Sequence, residues 1–185
     1  MAHINLQNDL PGIRGLMAYS PHTATVLNEL AELLLRAEDN SLSRGERELI
    51  ATYTSYKNDC YFCQNVHGAL AGYYLGMSMP QIDTIKSSLN GVLISTKMKA
   101  LLDIAAAVQI GGKYVEEHHI KSAHLAGATD REIHDTVLIA AAFCMYNRYV
   151  DGLATWAPED RQFYVDRAPA RAVEGYINTP LNTKK

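Results

Sequence analysis

The sequence has few cysteines, no long hydrophobic run and no leader-like start, and each shortage excludes a class of protein. Only three of the 185 residues are cysteine, too few for the disulfide framework of a small secreted protein. The longest apolar segment, Val137 to Tyr146, is shorter than the roughly 20 residues that span a bilayer. The first residues also lack a basic region followed by an apolar run. We therefore expect a cytoplasmic protein without a membrane partner.

An excess of positive charge is also missing. Lys and Arg total 17 against 20 Asp and Glu, and the basic residues are scattered along the chain. Proteins that bind nucleic acid usually concentrate basic side chains on one surface. We therefore expect no nucleic-acid partner. A hydrophobic content of 48% is sufficient for an ordinary globular core.

Proline is nearly absent from the middle of the chain, where only Pro80 lies between Pro21 and Pro158. Apolar residues in this region recur every three or four positions and do not alternate, which is typical of helices. The sequence therefore predicts an all-α fold. Pro158, Pro169 and a proline at position 180 should prevent long helices near the C-terminus.

These patterns divide the chain into two parts. We predict one all-α domain over residues 1–168 and a C-terminal arm over residues 169–185, which is suited to lying over a neighbouring subunit. Helices are expected over about 20–38, 95–110 and 116–126, and the longest over about 129–153.

Three predicted helix starts carry a capping box, in which a Ser or Thr and a Glu or Gln three residues later satisfy each other's amides. The second and third boxes follow a helix that ends in glycine. This similarity predicts a bundle built from two weakly similar helical-hairpin halves. The boxes are Ser43 with Glu46, Ser78 with Gln81, and Thr129 with Glu132.

Two of the three cysteines, Cys60 and Cys63, lie three positions apart, and His67 follows four residues later. Asn58-Asp59 is a turn and capping signal, so a new helix should begin at Cys60. On that helix the three side chains share one face. In a reducing compartment, a Cys-x-x-Cys pair is more often redox-active or metal-binding than a permanent cross-link.

Glu48 lies eleven residues before the turn at Asp59, and His67 lies eight residues after it. If the two helices pack antiparallel, the positions of Glu48 and His67 along the helix axis differ by about three residues, or roughly 5 Å. The carboxylate is then expected to face the imidazole, directly or through one water.

The residues alone do not decide which sulfur attacks a substrate. A free thiol with a pKa of about 8.5 is mostly protonated at pH 7, so one of the pair must be activated. The helix N-terminus should favour the Cys60 thiolate, whereas His67 is better placed to take a proton from Cys63. Either way, the pair can close into a disulfide.

Two other interpretations stay open. Cys60, Cys63, His67 and Glu48 supply enough ligands for a zinc ion, although structural zinc usually recruits a second Cys or His pair. The cysteines are alternatively an inert buried pair. Redox chemistry is the favoured interpretation, with no metal and no other cofactor.

The spacing of Glu48, Cys60-x-x-Cys63 and His67 resembles the motif of the carboxymuconolactone decarboxylase and alkyl hydroperoxidase D superfamily, particularly its peroxidase-related branch. The segments "LSRGERELIA", "ALLDIAAAV" and "AGATDREIHDTVL" also look like family segments. The resemblance implies an AhpD-like all-α fold that assembles as trimers or hexamers. One departure is Phe62, which stands where the best-known hydroperoxidases have a second histidine.

The resemblance also implies roles for the four residues. Cys63 would attack peroxide, and Cys60 would donate a proton and then close the disulfide. His67 would act as the base for Cys63, and Glu48 would orient His67.

We therefore expect a thiol-dependent hydroperoxide reductase or disulfide oxidoreductase of the peroxidase class. Its substrate would be a peroxide or a disulfide, and a thiol protein or small thiol would return the electrons. One alternative is a γ-carboxymuconolactone decarboxylase-type lactone enzyme that uses His67 and Glu48 for proton transfer. Another is a non-catalytic redox or metal sensor.

Overall fold

The structure is a computed structural model that describes residues 2–91 and 93–177, and the regular elements in these residues are all helical. The predicted all-α fold is therefore confirmed. The helices are α1 (Ile13–Tyr19), α2 (Pro21–Arg36), α3 (Arg44–Lys57), α4 (Tyr61–Leu75), α5 (Met79–Ser87), α6 (Thr96–Ile110), a 3₁₀ turn (Gly112–Tyr114), α7 (Glu117–Leu125), α8 (Asp130–Gly152) and α9 (Gln162–Glu174).

The three predicted capping boxes are present at the starts of α3, α5 and α8. The glycines before α5 and α8 have positive φ angles, 66° at Gly76 and 88° at Gly127, which is the usual way to end a helix. The likeness of two hairpin halves stays a prediction. In each box the cap amide donates to the side chain three residues on: Ser43 to Glu46 at 2.9 Å, Ser78 to Gln81 at 2.8 Å, and Thr129 to Glu132 at 2.8 Å.

Helix α3 forms the centre of the bundle and packs against α4, α6 and α8. Its apolar residues Leu49 and Ile50 are fully buried, and they join Leu102 of α6 and Phe143 of α8 in one core. Helix α9 lies on the outer side of α4. Burial on several faces makes α3 a rigid support for the side chains that it carries.

Helix α1 was not predicted. It begins after Gly12, which has a φ of 55° and provides no side-chain cap, so the usual start signal is missing from the sequence. In addition, Ser20 makes no side-chain capping bond to α2. Within the described residues, none of the helices is both long and apolar enough to cross a membrane.

Pro169, one of the prolines expected to prevent long helices near the C-terminus, lies inside the 13-residue helix α9. The ring removes one helical hydrogen bond, but Tyr164, Ala168 and Ala172 are buried on both sides of it. Their packing against α4 keeps the helix continuous. The predicted boundary between residues 168 and 169 therefore falls within α9. The arm residues 178–185 lie outside the described residues, and the expected oligomer stays a prediction.

Candidate active site

A tight turn between α3 and α4 places the cysteine pair, as the sequence predicted. Asp59 adopts a left-handed conformation with a φ of 57°, which Asp tolerates better than most residues. The amide of Cys60 then donates to the carbonyl of Ser55 at 3.0 Å. Cys60 is the N-cap of α4, and Cys63 is its third helical residue.

A chain of side-chain amides fastens this turn to the neighbouring helices. Asn58 donates to the Asn147 carbonyl oxygen at 2.8 Å, and Asn147 donates to the Ser55 hydroxyl at 3.0 Å. Gln109 of α6 donates to Asn58 at 3.0 Å. Because these polar groups are satisfied by one another, they fix the turn relative to α6 and α8.

The two cysteines differ in their access to solvent and substrate. Cys63 is 3% exposed, whereas Cys60 is 0% exposed. Cys63 and His67 both line a cavity of about 390 Å³, and Cys60 is not among the described residues of its wall. A substrate in the cavity therefore meets the Cys63 sulfur first.

Hydrogen bonding distinguishes the two sulfurs as well. The Cys60 thiol donates to the Cys63 sulfur, and this bond, together with burial, raises the pKa of Cys60 well above its usual value. The carboxylate of Asp151 also interacts with Cys60, and burial raises the pKa of Asp151 despite this interaction. Burial and the contact with Cys63 therefore favour the protonated thiol at Cys60.

Glu48 and His67 meet as their register predicted, and no bridging water is needed. Glu48 Oε2 lies 2.7 Å from His67 Nδ1, and Glu48 is 1% exposed. Since Nδ1 is directed at the carboxylate, Nε2 is the ring nitrogen left to exchange a proton elsewhere.

A third member of this group, Tyr176, was not predicted. Its hydroxyl donates to Glu48 Oε1 at 2.6 Å and lies 3.4 Å from His67 Nδ1. Burial and the negative charge of Glu48 raise the pKa of Tyr176 well above its usual value. The phenol therefore stays protonated and donates its proton to Glu48.

Two aromatic rings, those of Phe143 and Tyr176, pack against the imidazole of His67. Phe143 packs edge-on to His67 with centroids 4.6 Å apart, and Tyr176 lies nearly parallel to it at 6.2 Å. Such packing restricts the ring to one orientation, which pre-organises the base.

Phe62, the residue between the cysteines, has a structural explanation. Its ring lies edge-on to Tyr164 with centroids 6.0 Å apart, and both residues line the cavity. Gly12 makes room for it, because a Cβ at Gly12 would lie 2.3 Å from the Phe62 ring. The Phe62 side chain is thus part of the cavity wall. The neighbouring Tyr61 instead lines a second, shallower groove.

The four predicted residues do not form the zinc site that was the alternative interpretation. Among the described residues, no group of three or more His, Cys, Asp or Glu side chains is arranged to hold a metal ion. The three cysteines are free thiols, which leaves both sulfurs of the pair available for redox chemistry.

The chain resembles known proteins in one sequence segment and in its fold. Residues 87–157 match the carboxymuconolactone decarboxylase family. This segment lies C-terminal to Glu48, the cysteine pair and His67. No curated protein matches the chain by sequence.

Solved structures share the fold over most of the chain. One is the alkylhydroperoxidase AhpD core of an uncharacterized peroxidase-related protein from Ralstonia eutropha JMP134, with a TM-score of 0.73 and 25% identity over 82% of this chain and 79% of that one. A peroxidase-related protein from Silicibacter sp. TM1040 has a TM-score of 0.72 and 24% identity over 82% and 78%. A protein of unknown function from Agrobacterium tumefaciens, a proposed antioxidant defence protein AhpD, has a TM-score of 0.68 and 19% identity over 86% and 100%.

The last two identities are too low to indicate more than a common fold. The family match over residues 87–157 and the 25% identity to the first structure add a similarity in sequence to the similarity in fold. The match over residues 87–157 and the fold shared with the first structure support a likeness to the carboxymuconolactone decarboxylase and alkyl hydroperoxidase D superfamily, including its peroxidase-related proteins.

Proposed function

We propose that the protein is a thiol-dependent peroxidase in which Cys63 attacks the peroxide and Cys60 resolves the product. One observation carries the proposal. Cys63 and His67 line the same cavity, and the far side of His67 is held by Glu48 at 2.7 Å. A nucleophile, a base and a residue that orients the base are thus available in the order that activated thiols require.

In the first step His67 takes the proton of Cys63, and Glu48 stabilises the imidazolium that forms. The Cys63 thiolate attacks the terminal oxygen of the peroxide R–O–O–H. An S–O bond forms, the O–O bond breaks, and the RO⁻ leaving group takes a proton to become an alcohol, or water when R is hydrogen. Cys63 is oxidised to the sulfenic acid.

In the second step Cys60 loses its proton and attacks the Cys63 sulfur. An S–S bond forms, the S–O bond breaks, and the hydroxide takes a proton and leaves as water. One peroxide thus oxidises two thiols and yields one alcohol and one water. A separate thiol reductant, either a dithiol protein or a small thiol, must return two electrons to the disulfide.

Replacement of each cysteine tests the proposal. Cys63→Ser should abolish peroxide consumption. Cys60→Ser should still consume one equivalent and then hold a sulfenic acid that dimedone traps, as detected by mass spectrometry. Cys144→Ser is the matched control, because Cys144 is a half-buried cysteine of α8 outside the cavity. The activity of this variant should equal that of the wild type. Peroxide turnover by Cys63→Ser would overturn the proposal.

The lactone alternative makes the opposite prediction. If Glu48 and His67 performed proton transfer on a lactone without the thiols, alkylation of both cysteines would leave turnover intact. A non-catalytic sensor would lose two thiols to one equivalent of peroxide without turnover in the presence of any thiol reductant. A panel of reductants and a thiol count therefore separate the three functions.

A further inference from the structure

One face of helix α8 is exposed along most of its length. Six residues on this face recur at alternating spacings of three and four positions, and all six are exposed, whereas the opposite face packs against α3 and α6. This spacing forms a line along one side of a helix, which is the contact surface that paired helices use. The six residues, which we call the α8 seam, are Arg131, His134, Leu138, Ala141, Met145 and Arg148.

The middle of the α8 seam is apolar. Leu138 is 42% exposed and Met145 is 44% exposed, and Ala141 between them is exposed as well. Val137 and Cys144 lie beside the seam and are half-buried. Single exposed apolar side chains are ordinary, but neighbouring ones bordered by charged residues indicate an interaction surface.

The order of residues along the seam makes it complementary to a second copy of itself. Arg131 and Asp151, both exposed, lie ten residues before and ten residues after Ala141, and Leu138 and Met145 lie three before and four after it. If a second α8 packs antiparallel with Ala141 opposite Ala141, Arg131 of each copy lies at the same height as Asp151 of the other, and opposite charges attract. Leu138 of each copy then lies within one residue, about 1.5 Å, of the height of Met145 of the other.

The other charged groups of the seam are compatible with this antiparallel arrangement. His134 and Arg148 each lie seven residues from Ala141, and His134 Nδ1 is 2.8 Å from Asp135 Oδ1, so Arg148 would approach a carboxylate together with the imidazole. Arg131 contacts Asp135 through Nε, and its side chain is 65% exposed, so it is accessible to a second carboxylate. A parallel arrangement would instead bring each arginine to its own copy, and like charges repel.

We propose that the α8 seam is a self-association surface, on which a second copy of this chain packs its own α8 antiparallel about Ala141. The small side chain of Ala141 lets the two helices approach closely at the centre of the contact. Asp151 interacts with Cys60, so each end of the contact lies beside the cysteine pair of one copy. The inference does not depend on the proposed function, and its failure would leave the peroxidase proposal unaffected.

The mass of the assembly tests this surface. Antiparallel pairing is two-fold symmetric and requires an even number of chains, which light scattering at about 100 μM protein should show. Leu138→Glu places a charge in the apolar middle of the seam and should halve the mass. A wild-type mass of one or three chains, or a mass that Leu138→Glu leaves unchanged, would overturn the proposal.

Leu125→Glu is the matched control. Leu125 is 81% exposed at the end of α7, so the same substitution adds the same charge outside the seam. The mass of this variant should equal that of the wild type, and thermal unfolding of both variants checks that the fold is intact.

Exchange of the end charges tests the antiparallel direction. Arg131→Asp places two carboxylates at the same height and should raise the dissociation constant at least about tenfold in sedimentation experiments. Arg131→Asp combined with Asp151→Arg restores opposite charges and should recover most of the lost affinity. If the double variant associates no better than Arg131→Asp alone, the antiparallel arrangement is wrong.

A cross-link at the centre of the contact gives an independent measurement. In a Cys144→Ser background, Ala141→Cys places two thiols across the two-fold axis, so mild oxidation should join two chains through a disulfide. Ser122→Cys, at an exposed position of α7, is the control and should stay largely monomeric on a non-reducing gel. Equal rates of cross-linking in the two variants would mean that random collisions join the chains, and this result would overturn the proposed contact.

Discussion

The hydroxyl of Tyr176 donates to Oε1 of Glu48 over 2.6 Å, although the two residues lie 128 positions apart in the sequence. The chain reaches this position through Gly175, whose φ is 71° and whose missing Cβ would lie 2.5 Å from the Glu32 carboxylate. The amide of Tyr176 then donates to Glu32 at 2.7 Å. The segment after α9 is therefore anchored to α2 and completes the surroundings of the Glu48–His67 pair.

Replacement of Tyr176 by Phe removes the donor and keeps the ring that packs beside His67. Since hydrogen bonds to charged groups contribute about 1.5–3 kcal/mol, we expect kcat for peroxide reduction to fall about tenfold or more. KM should change little, because Tyr176 acts as a positioning residue through Glu48. Steady-state kinetics with a fixed reductant measures both values.

The matched control for this change is Tyr114→Phe. Tyr114 is 57% exposed and lies in the 3₁₀ turn, so loss of its hydroxyl should leave kcat unaltered. The alkylation rate of Cys63 provides an independent measurement, since a poorly held His67 should leave less thiolate. An equal rate in Tyr176→Phe and wild type would contradict the positioning role.

Replacement of Glu48 by Gln tests whether the carboxylate is present for function or for stability. The amide keeps the volume but loses the charge that stabilises an imidazolium, so we expect kcat/KM to fall by about a hundredfold. Removal of one partner of a buried pair is usually destabilising, so urea unfolding should give a midpoint below that of the wild type, and kinetics are measured under conditions in which the variant is fully folded. Wild-type activity of the folded variant would contradict this role for Glu48.

The Glu48–His67 contact could be predicted because it depends only on a short hairpin. The turn signal at Asn58-Asp59 and the rise per residue of an α-helix are enough to predict that Glu48 and His67 lie at nearly the same height along the helix axis. Tyr176 could not be predicted in the same way. Its position depends on how α9 crosses α4, and the sequence pattern contains no information about that angle.

The apolar pattern of α8 predicts an inward stripe of Ile133, Val137, Ala140, Ala141 and Cys144, but Ala141 is exposed and Cys144 is half-buried. Helix α8 contacts α3 and α6 over a broad face, and polar residues such as Asn147 occupy part of it. The inward face that apolar periodicity predicts for α8 is therefore rotated by a fraction of a turn from the face that is buried.

The difference between the two thiols predicts their order of alkylation. At pH 8 iodoacetamide should modify Cys63 more than about tenfold faster than Cys60, because Cys60 is inaccessible and its pKa is raised. Peptide mass spectrometry after short exposures measures the order, in a Cys144→Ser background that removes the third thiol. Faster modification of Cys60 would require the roles of the two cysteines to be exchanged.

The interaction of the Asp151 carboxylate with Cys60 predicts an effect on the second step only. Asp151→Asn removes the carboxylate that can accept the Cys60 proton, so disulfide closure should slow by about tenfold. The sulfenic acid on Cys63 should then persist and be trapped by dimedone in higher yield, while the burst of peroxide consumption keeps its rate. Asp103→Asn is the control, because Asp103 is an exposed carboxylate of α6 outside the cavity wall. A slower burst with no additional sulfenic acid would contradict this assignment.

The stability of the fold should depend on pH through Glu132, a buried carboxylate that caps α8. Burial acts to raise the pKa of Glu132, but hydrogen bonds from Lys97 and the Thr129 amide outweigh it, and the net result is a pKa below the usual 4.5. A lowered folded-state pKa means that the carboxylate stabilises the fold above pH 4.5. That contribution is lost as the pH falls through the folded-state value.

Urea unfolding between pH 7 and pH 3 checks this. We expect Glu132→Gln to lower the free energy of unfolding by about 1 kcal/mol at pH 7 and to have a smaller effect at pH 3, where the wild-type carboxylate is itself protonated. Glu46→Gln is the matched control, because Glu46 occupies the same place in the capping box of α3 but is less buried. Its effect should be smaller at pH 7. If Glu132→Gln costs as much at pH 3 as at pH 7, the charge of Glu132 is not what stabilises the start of α8, and the loss must come from packing alone.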